Sequence, residues 1–150
     1  MPRIKQISVL HQGTIFGLHV SYGLSDGTVF ERKHGEPIIS VNNIVHDCIC
    51  LTETESLCEV SGLASDGIIW QLGFVTLDEQ TGVKRSCGPY GKGRPFGSWP
   101  NLLRFRTTGC VIAFGGICTP YMLTGLSCIT AGTPPSMEVE DVDEGGPESS

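Results

Sequence analysis

Short stretches in which every second residue is apolar recur along most of the chain, separated by glycine, asparagine, aspartate and proline. In Thr14 to Tyr22, the side chains of Phe16, Leu18, Val20 and Tyr22 fall on one side of an extended backbone. Gln12-Gly13 joins this run to Ile4 to Leu10, where Ile7 and Val9 alternate with polar residues, and the pair predicts a hairpin. Farther on, Ile68, Trp70, Leu72 and Phe74 repeat the pattern on one buried face. Cys58 and Val60 alternate with Glu59 and Ser61 before them, and Gly62 to Gly67 supplies the reversal of a second hairpin. Leu103 and Phe105 open a third, with Thr107-Thr108-Gly109 as its turn and Cys110, Ile112 and Phe114 on the return; Gly115 to Tyr121 reads as a loop and Met122 to Ile129 as a closing strand. Thr28 to Arg32, Ile38 to Val45 and Val83 to Cys87 are further extended runs, and the glycine- and proline-rich Gly88 to Gly97 is expected to be irregular. No stretch carries the 3.6-residue period of a helix, so the expected fold class is all-β.

Composition refines this picture. A length of 150 residues suits one domain. The net charge of -6 comes from the end of the chain: Glu138, Glu140, Asp141, Asp143, Glu144 and Glu148 all follow residue 132, and the ten acids before them balance ten bases. Residues 133–150 are mostly proline, serine, glycine and acid, which predicts a disordered acidic tail. No run approaches the roughly 20 apolar residues of a membrane span. Lys5, Gln6, His11 and His19 interrupt any leader-like core, so the chain as given reads as cytoplasmic; a secretory leader lost from a partial sequence would leave the same picture. The seven cysteines lie mostly inside strand-like runs and are expected as reduced core residues. His46-Asp47-Cys48-x-Cys50 with Cys58 matches no paired Cys-x-x-Cys spacing, so neither a metal nor a cofactor is expected. There is no nucleophile elbow, phosphate loop or dinucleotide glycine motif, and neither enzyme activity nor nucleic-acid binding is expected.

Read in order, IFGLHVSYG, CLTETESLCEVSG, IIWQLGFVT, CGPYGKGRPF, VIAFGGIC and YMLTGLSCI, spanning Ile4 to Ile129, resemble the jacalin-related lectins, including the zymogen-granule lectins of vertebrates. The resemblance implies that residues 1–132 form a β-prism I of three four-stranded antiparallel sheets. It also implies glycan recognition without a metal, between a glycine-rich first strand, the loop Leu63 to Gly67 and a Gly-x-x-x-Asp loop before the last strand. The chain starts beyond the place of that first strand, which is expected to be missing and to leave a sheet edge open to self-association.

Matching Leu123-Thr124-Gly125-Leu126 to the family's Leu-Asp-Ala-Ile puts Thr124 in the place of the aspartate and Pro120 in the place of the glycine. Both signature residues are missing. The implied carbohydrate site is then Ser65, Asp66, Tyr121, Met122 and Thr124, with Asp66 as replacement acceptor and Tyr121 as a stacking ring, although Ser65-Asp66-Gly67 is also ordinary turn chemistry. Between Val83 and Arg106 there are six bases and no acid. Lys92, Arg94, Arg104 and Arg106 therefore form a candidate patch for an acidic or sulfated polysaccharide, or else a solvated strand face. Two functional readings follow: a lectin domain for a glycan or glycoprotein, and a degenerate prism serving as a protein-interaction or structural module.

Overall fold

The computed structural model describes residues 2–35, 43–65, 67–91, 102–118, 123–131 and 136–141, without side-chain detail at 117–118 and 136–141. The described residues form ten strands and no helix: β1 (Arg3–Gln12), β2 (Thr14–Gly23), β3 (Val29–His34), β4 (Val45–Cys50), β5 (Glu55–Ser65), β6 (Ile68–Asp78), β7 (Lys84–Tyr90), β8 (Leu103–Cys118), β9 (Leu123–Thr130) and β10 (Ser136–Asp141). Among the described residues no helix is long and apolar enough to cross a membrane.

All pairings are antiparallel, and the connectivity repeats. The first sheet has the order β3-β2-β1-β4 and the second places β5, β6, β7 and the first half of β8 in the order β8-β5-β6-β7. Each is a Greek key, three hairpin-linked strands with the fourth returning beside the first. β8 then bends at Gly109, where φ is +104, and its second half pairs with β9 from Val111↔Thr130 to Cys118↔Leu123. The expected turn at Thr107-Thr108-Gly109 is thus a bend within one strand that pairs with β5 before it and with β9 after it. The hairpin lies later, between β8 and β9. Gly115 to Cys118, read as loop, belongs to β8 because its backbone is paired with Gly125 to Ser127 and with Leu123.

The repeat reaches individual residues. In the first hairpin Leu10 pairs with Gly17 and His11 with Ile15, which leaves Phe16 as the extra residue of a bulge. In the second, Leu63 pairs with Gln71 and Ala64 with Ile69, leaving Trp70. In the third, Ile117 pairs with Gly125 and Cys118 with Leu123, leaving Thr124. The residue before each bulge is a core aliphatic, with Ile15, Ile69 and Leu123 exposed by 0%, 2% and 0%. Ile15-Phe16-Gly17-Leu18, Ile69-Trp70-Gln71-Leu72 and Leu123-Thr124-Gly125-Leu126 are therefore one structural unit used three times.

These bulges correct the strict alternation read from sequence. An extra residue reverses the facing of everything beyond it. Trp70 does not share the buried face of Leu72 and Phe74; Ile69 takes that place, and Trp70 packs outside with Leu63 and Leu102. Phe16 likewise yields to Ile15.

The three sides close around one core, in which Ile7, Val20, Leu57, Phe74, Phe114 and Leu123 meet. Phe74 and Phe114 stack edge to face at 6.5 Å and 83°, and the buried Phe114 N–H donates to the Tyr22 hydroxyl at 3.0 Å. At the ends of β3 and β7, Gly35 and Gly91 repeat a second contact. A Cβ on Gly35 would strike Phe16 O and Leu123 N, and one on Gly91 would strike Trp70 O and reach Ile15. Only glycine lets each third strand press against its own bulge and the neighbouring side.

Two further expectations need correction. Gly88-Pro89-Tyr90 is not irregular but the end of β7, where proline is tolerated because β7 is an edge strand. Within the predicted tail, Ser136–Asp141 pairs with Leu103–Thr108 of β8, so the sheet order becomes β10-β8-β5-β6-β7. Composition weighs side-chain burial, whereas this strand joins through main-chain hydrogen bonds to an otherwise open edge. The cysteines also depart from the reading: Cys48, Cys50 and Cys110 are exposed, and Cys58, Cys87 and Cys128 are only partly buried. All six are free thiols. The extended run predicted from Ile38 lies largely outside the described residues and enters them as β4.

Candidate functional site

The third bulge opens a cleft. Thr124, Gly125 and Leu126 at the start of β9 face Ala64 and Ile69 of the second hairpin, and Leu103 and Phe105 of β8 form the floor of a space of about 160 Å³. The elements explain why these residues meet. Ile69 is turned inward by the bulge at Trp70, Leu103 and Phe105 share one face of β8, and Thr124 is lifted out of register by its own bulge. The walls are apolar apart from the Thr124 hydroxyl and the backbone, and no titratable side chain lines the described part.

Of the predicted carbohydrate residues, Thr124 lines this cleft. Ser65 stands one residue beyond Ala64, but it is 4% exposed and its Oγ accepts a hydrogen bond from Trp70 Nε1 at 2.9 Å. Its hydroxyl holds the hairpin end together. Asp66, Tyr121 and Met122 lie outside the described residues, as does Pro120. Sequence reasoning missed Ile69, Leu103 and Phe105 as walls: strict alternation turned Ile69 outward, and it marked Leu103 and Phe105 only as the start of a hairpin.

Of the basic strip, Lys92 and Arg94 lie outside the described residues. Arg104 and Arg106 are exposed and alternate with Leu103 and Phe105, so they stand on the opposite face of β8 from the cleft. Arg106 Nε donates to Glu59 Oε1 at 2.8 Å. Arg104 borders a separate groove of about 120 Å³ with Ser61, Gln71 and Pro89. In the β8–β10 register Glu138 is opposite Arg106 and Glu140 opposite Arg104. The strip and the cleft are therefore two surfaces.

Two larger hollows, about 270 and 390 Å³, flank Arg3 and Leu51. Arg3 is engaged there, its Nη2 donating to the carbonyls of Thr52 and Glu55 at 2.9 Å each. Beside it the Glu55 carboxylate, almost wholly buried, accepts from Thr52 N (3.0 Å), Thr76 Oγ1 (2.8 Å) and Arg85 Nη2 and Nε (3.0 and 3.2 Å). The Thr52 N–H, with Thr76 and the Arg85 guanidinium, holds its carboxyl below the usual carboxylate range. The sequence drew attention to Glu55 only as part of a family pattern. Here it clamps the loop before β5 to β6 and β7, a structural task.

No protein-family model matches the chain, and no curated protein matches it. Solved structures do. The mannose-binding lectin from Champedak superposes with a TM-score of 0.65 at 24% identity, covering 86% of this chain and 82% of that one. A mannose-binding jacalin-related lectin from Ananas comosus gives 0.62 at 20% identity, with 85% and 82% covered. A galactose-specific lectin from Artocarpus hirsuta, in complex with methyl-α-D-galactose, gives 0.64 at 20% identity, with 85% and 90% covered.

Proposed function

Taking as premise that this chain has the fold of the jacalin-related lectins, we propose that it is a carbohydrate-binding domain that holds one sugar ring, without a metal, in the cleft at Thr124. The observation that carries this reading is the cleft itself, at the third bulge and against the tip of the second hairpin. Its volume is about half the lower end of ordinary ligand pockets, which suits a terminal sugar rather than an extended chain. The apolar C–H face of a sugar packs on Phe105 and Leu126, and backbone groups with the threonine hydroxyl match its oxygens. With no carboxylate among the described walls, neutral sugars bind weakly.

An acidic or sulfated glycan is the second reading, supported by the groove beside Arg104. Arg104 lines that groove, and Arg106 beside it on β8 is paired with Glu59. Among the described residues β9 pairs only with β8, so its other edge suits self-association with a second copy. A glycan array carrying neutral and sulfated sugars tests both readings. Reproducible binding to terminal mannose or galactose supports the cleft, and salt-sensitive binding to sulfated spots alone supports the groove. Blank spots from a folded sample favour a prism that serves as a protein-interaction module.

A further inference from the structure

On the outer face of the first sheet, Cys48 and Cys50 are both exposed and their sulfurs lie 4.0 Å apart. They are alternate residues of β4, an edge strand, with the core residue Ile49 between them facing inward. Alternate residues on a strand are about 6.6 Å apart along the chain, so the two side chains have turned toward each other. Across the register, Ser8 faces Cys48 and Gln6 faces Cys50. The four side chains close a ring: Ser8 Oγ donates to Cys48 Sγ at 3.8 Å, Cys50 Sγ donates to Gln6 Oε1 at 3.9 Å, and Gln6 Nε2 donates to Ser8 Oγ at 3.5 Å.

We propose that Cys48 and Cys50 form a binding site for a soft, thiophilic metal ion of low coordination number, copper(I) being the ion that fits. An ion at about 2.3 Å from each sulfur, the length of a zinc–thiolate bond, would see these sulfurs at about 120°. That is a trigonal angle, whose third position is left to an external soft donor such as a thiol, because the neutral oxygens of Ser8 and Gln6 are hard donors. Zinc prefers four ligands, and among the described residues no third histidine, cysteine, aspartate or glutamate joins the pair. Thiolates select copper(I), which is content with two or three donors. A disulfide fits less well, because the strand holds the two Cα atoms near the upper limit of about 6.8 Å for such a bond. Binding replaces two S–H bonds by two metal–sulfur bonds, releases two protons to solvent and changes no oxidation state.

The site was hidden in sequence because Cys-x-Cys lacks the spacing of a zinc motif, and Cys58, which completes the apparent cluster, lies on β5 in the second sheet. The test is an anaerobic titration of the reduced protein with copper(I) presented as its bicinchoninate complex, whose colour is lost on transfer. Wild type is expected to withdraw one equivalent more than Cys48→Ser, Cys50→Ser or the double variant. Cys110→Ser, which removes an exposed thiol on β8, is expected to match wild type. Thermal unfolding of each variant shows that it is folded, as substitution on an exposed strand face should leave it. Equal withdrawal by wild type and the double variant would overturn the proposal, as would an equal loss in Cys110→Ser.

Discussion

At the scale of single residues, the proposed sugar cleft turns on Thr124. It occupies the bulge, where the fold's geometry lifts a side chain toward the space between the second and third hairpins. A carboxylate here would accept hydrogen bonds from two sugar hydroxyls, and such charge-assisted bonds contribute roughly 1.5–3 kcal/mol. Thr124→Asp is therefore expected to raise affinity for a neutral monosaccharide by roughly 10- to 100-fold. Isothermal titration of both proteins with mannose and galactose checks it, and unchanged affinity would remove the residue from the site. His34 is the other residue with a measurable signature. Its Nε2 is buried without a hydrogen-bond partner, and burial first, then the charges of His19 and Arg32, push its pKa below the ordinary 6.5. Between the folded and unfolded values the unfolded chain binds more protons, so stability falls as the pH drops through about 6.5. Asp26, Glu55 and Asp78 are all shifted down from ordinary carboxylate values, and their contributions are lost only at lower pH. Urea unfolding at pH 7.5 and 5.5 is expected to show a smaller drop for His34→Gln than for wild type; parallel drops would exonerate the histidine.

At the scale of elements, the first two hairpins were readable from alternation and turn residues, and their inward faces were too, except next to the tips. Period-2 reasoning assumes unbroken register, and the bulges at Phe16 and Trp70 break it next to the tips. No residue type announces a bulge, so Ile15 and Ile69 emerged as core only once pairing was known. β8 was divided for a related reason: Thr107-Thr108-Gly109 has turn chemistry, yet pairing on both sides of Gly109 carries the strand through. Between elements, the Glu55 clamp ties β5, β6 and β7 to the loop that follows β4. Glu55→Ala is expected to destabilise the protein by about 1.5–3 kcal/mol, the scale of hydrogen bonds to a charged group, read from the urea midpoint at constant slope. The acidic strand β10 protects the outer edge of β8. Ending the chain after residue 135 should keep cooperative unfolding but raise the solution mass with concentration in sedimentation experiments; a strictly monomeric truncated chain would contradict that protective role.

At the scale of the whole molecule, a repeated Greek key and a thrice-used bulge build a prism whose sides differ in what they present. The all-β class was legible because alternation and turn glycines suffice for it. The threefold repeat was not, since Thr124 shares the backbone position of Phe16 and Trp70 but not their aromatic side chains. The candidate site was legible only through Thr124 and the resemblance, while its apolar walls depend on how the second and third sides meet. The proposal that matters most is a sugar seated where those two sides meet. Its most direct test is a ¹H–¹⁵N titration of the labelled protein with mannose- and galactose-terminated oligosaccharides. Saturable shifts are expected at the amides of Ala64, Thr124, Gly125 and Leu126. A well-dispersed spectrum in which no amide moves with either sugar, or in which shifts fall only on other parts of the prism, would contradict it.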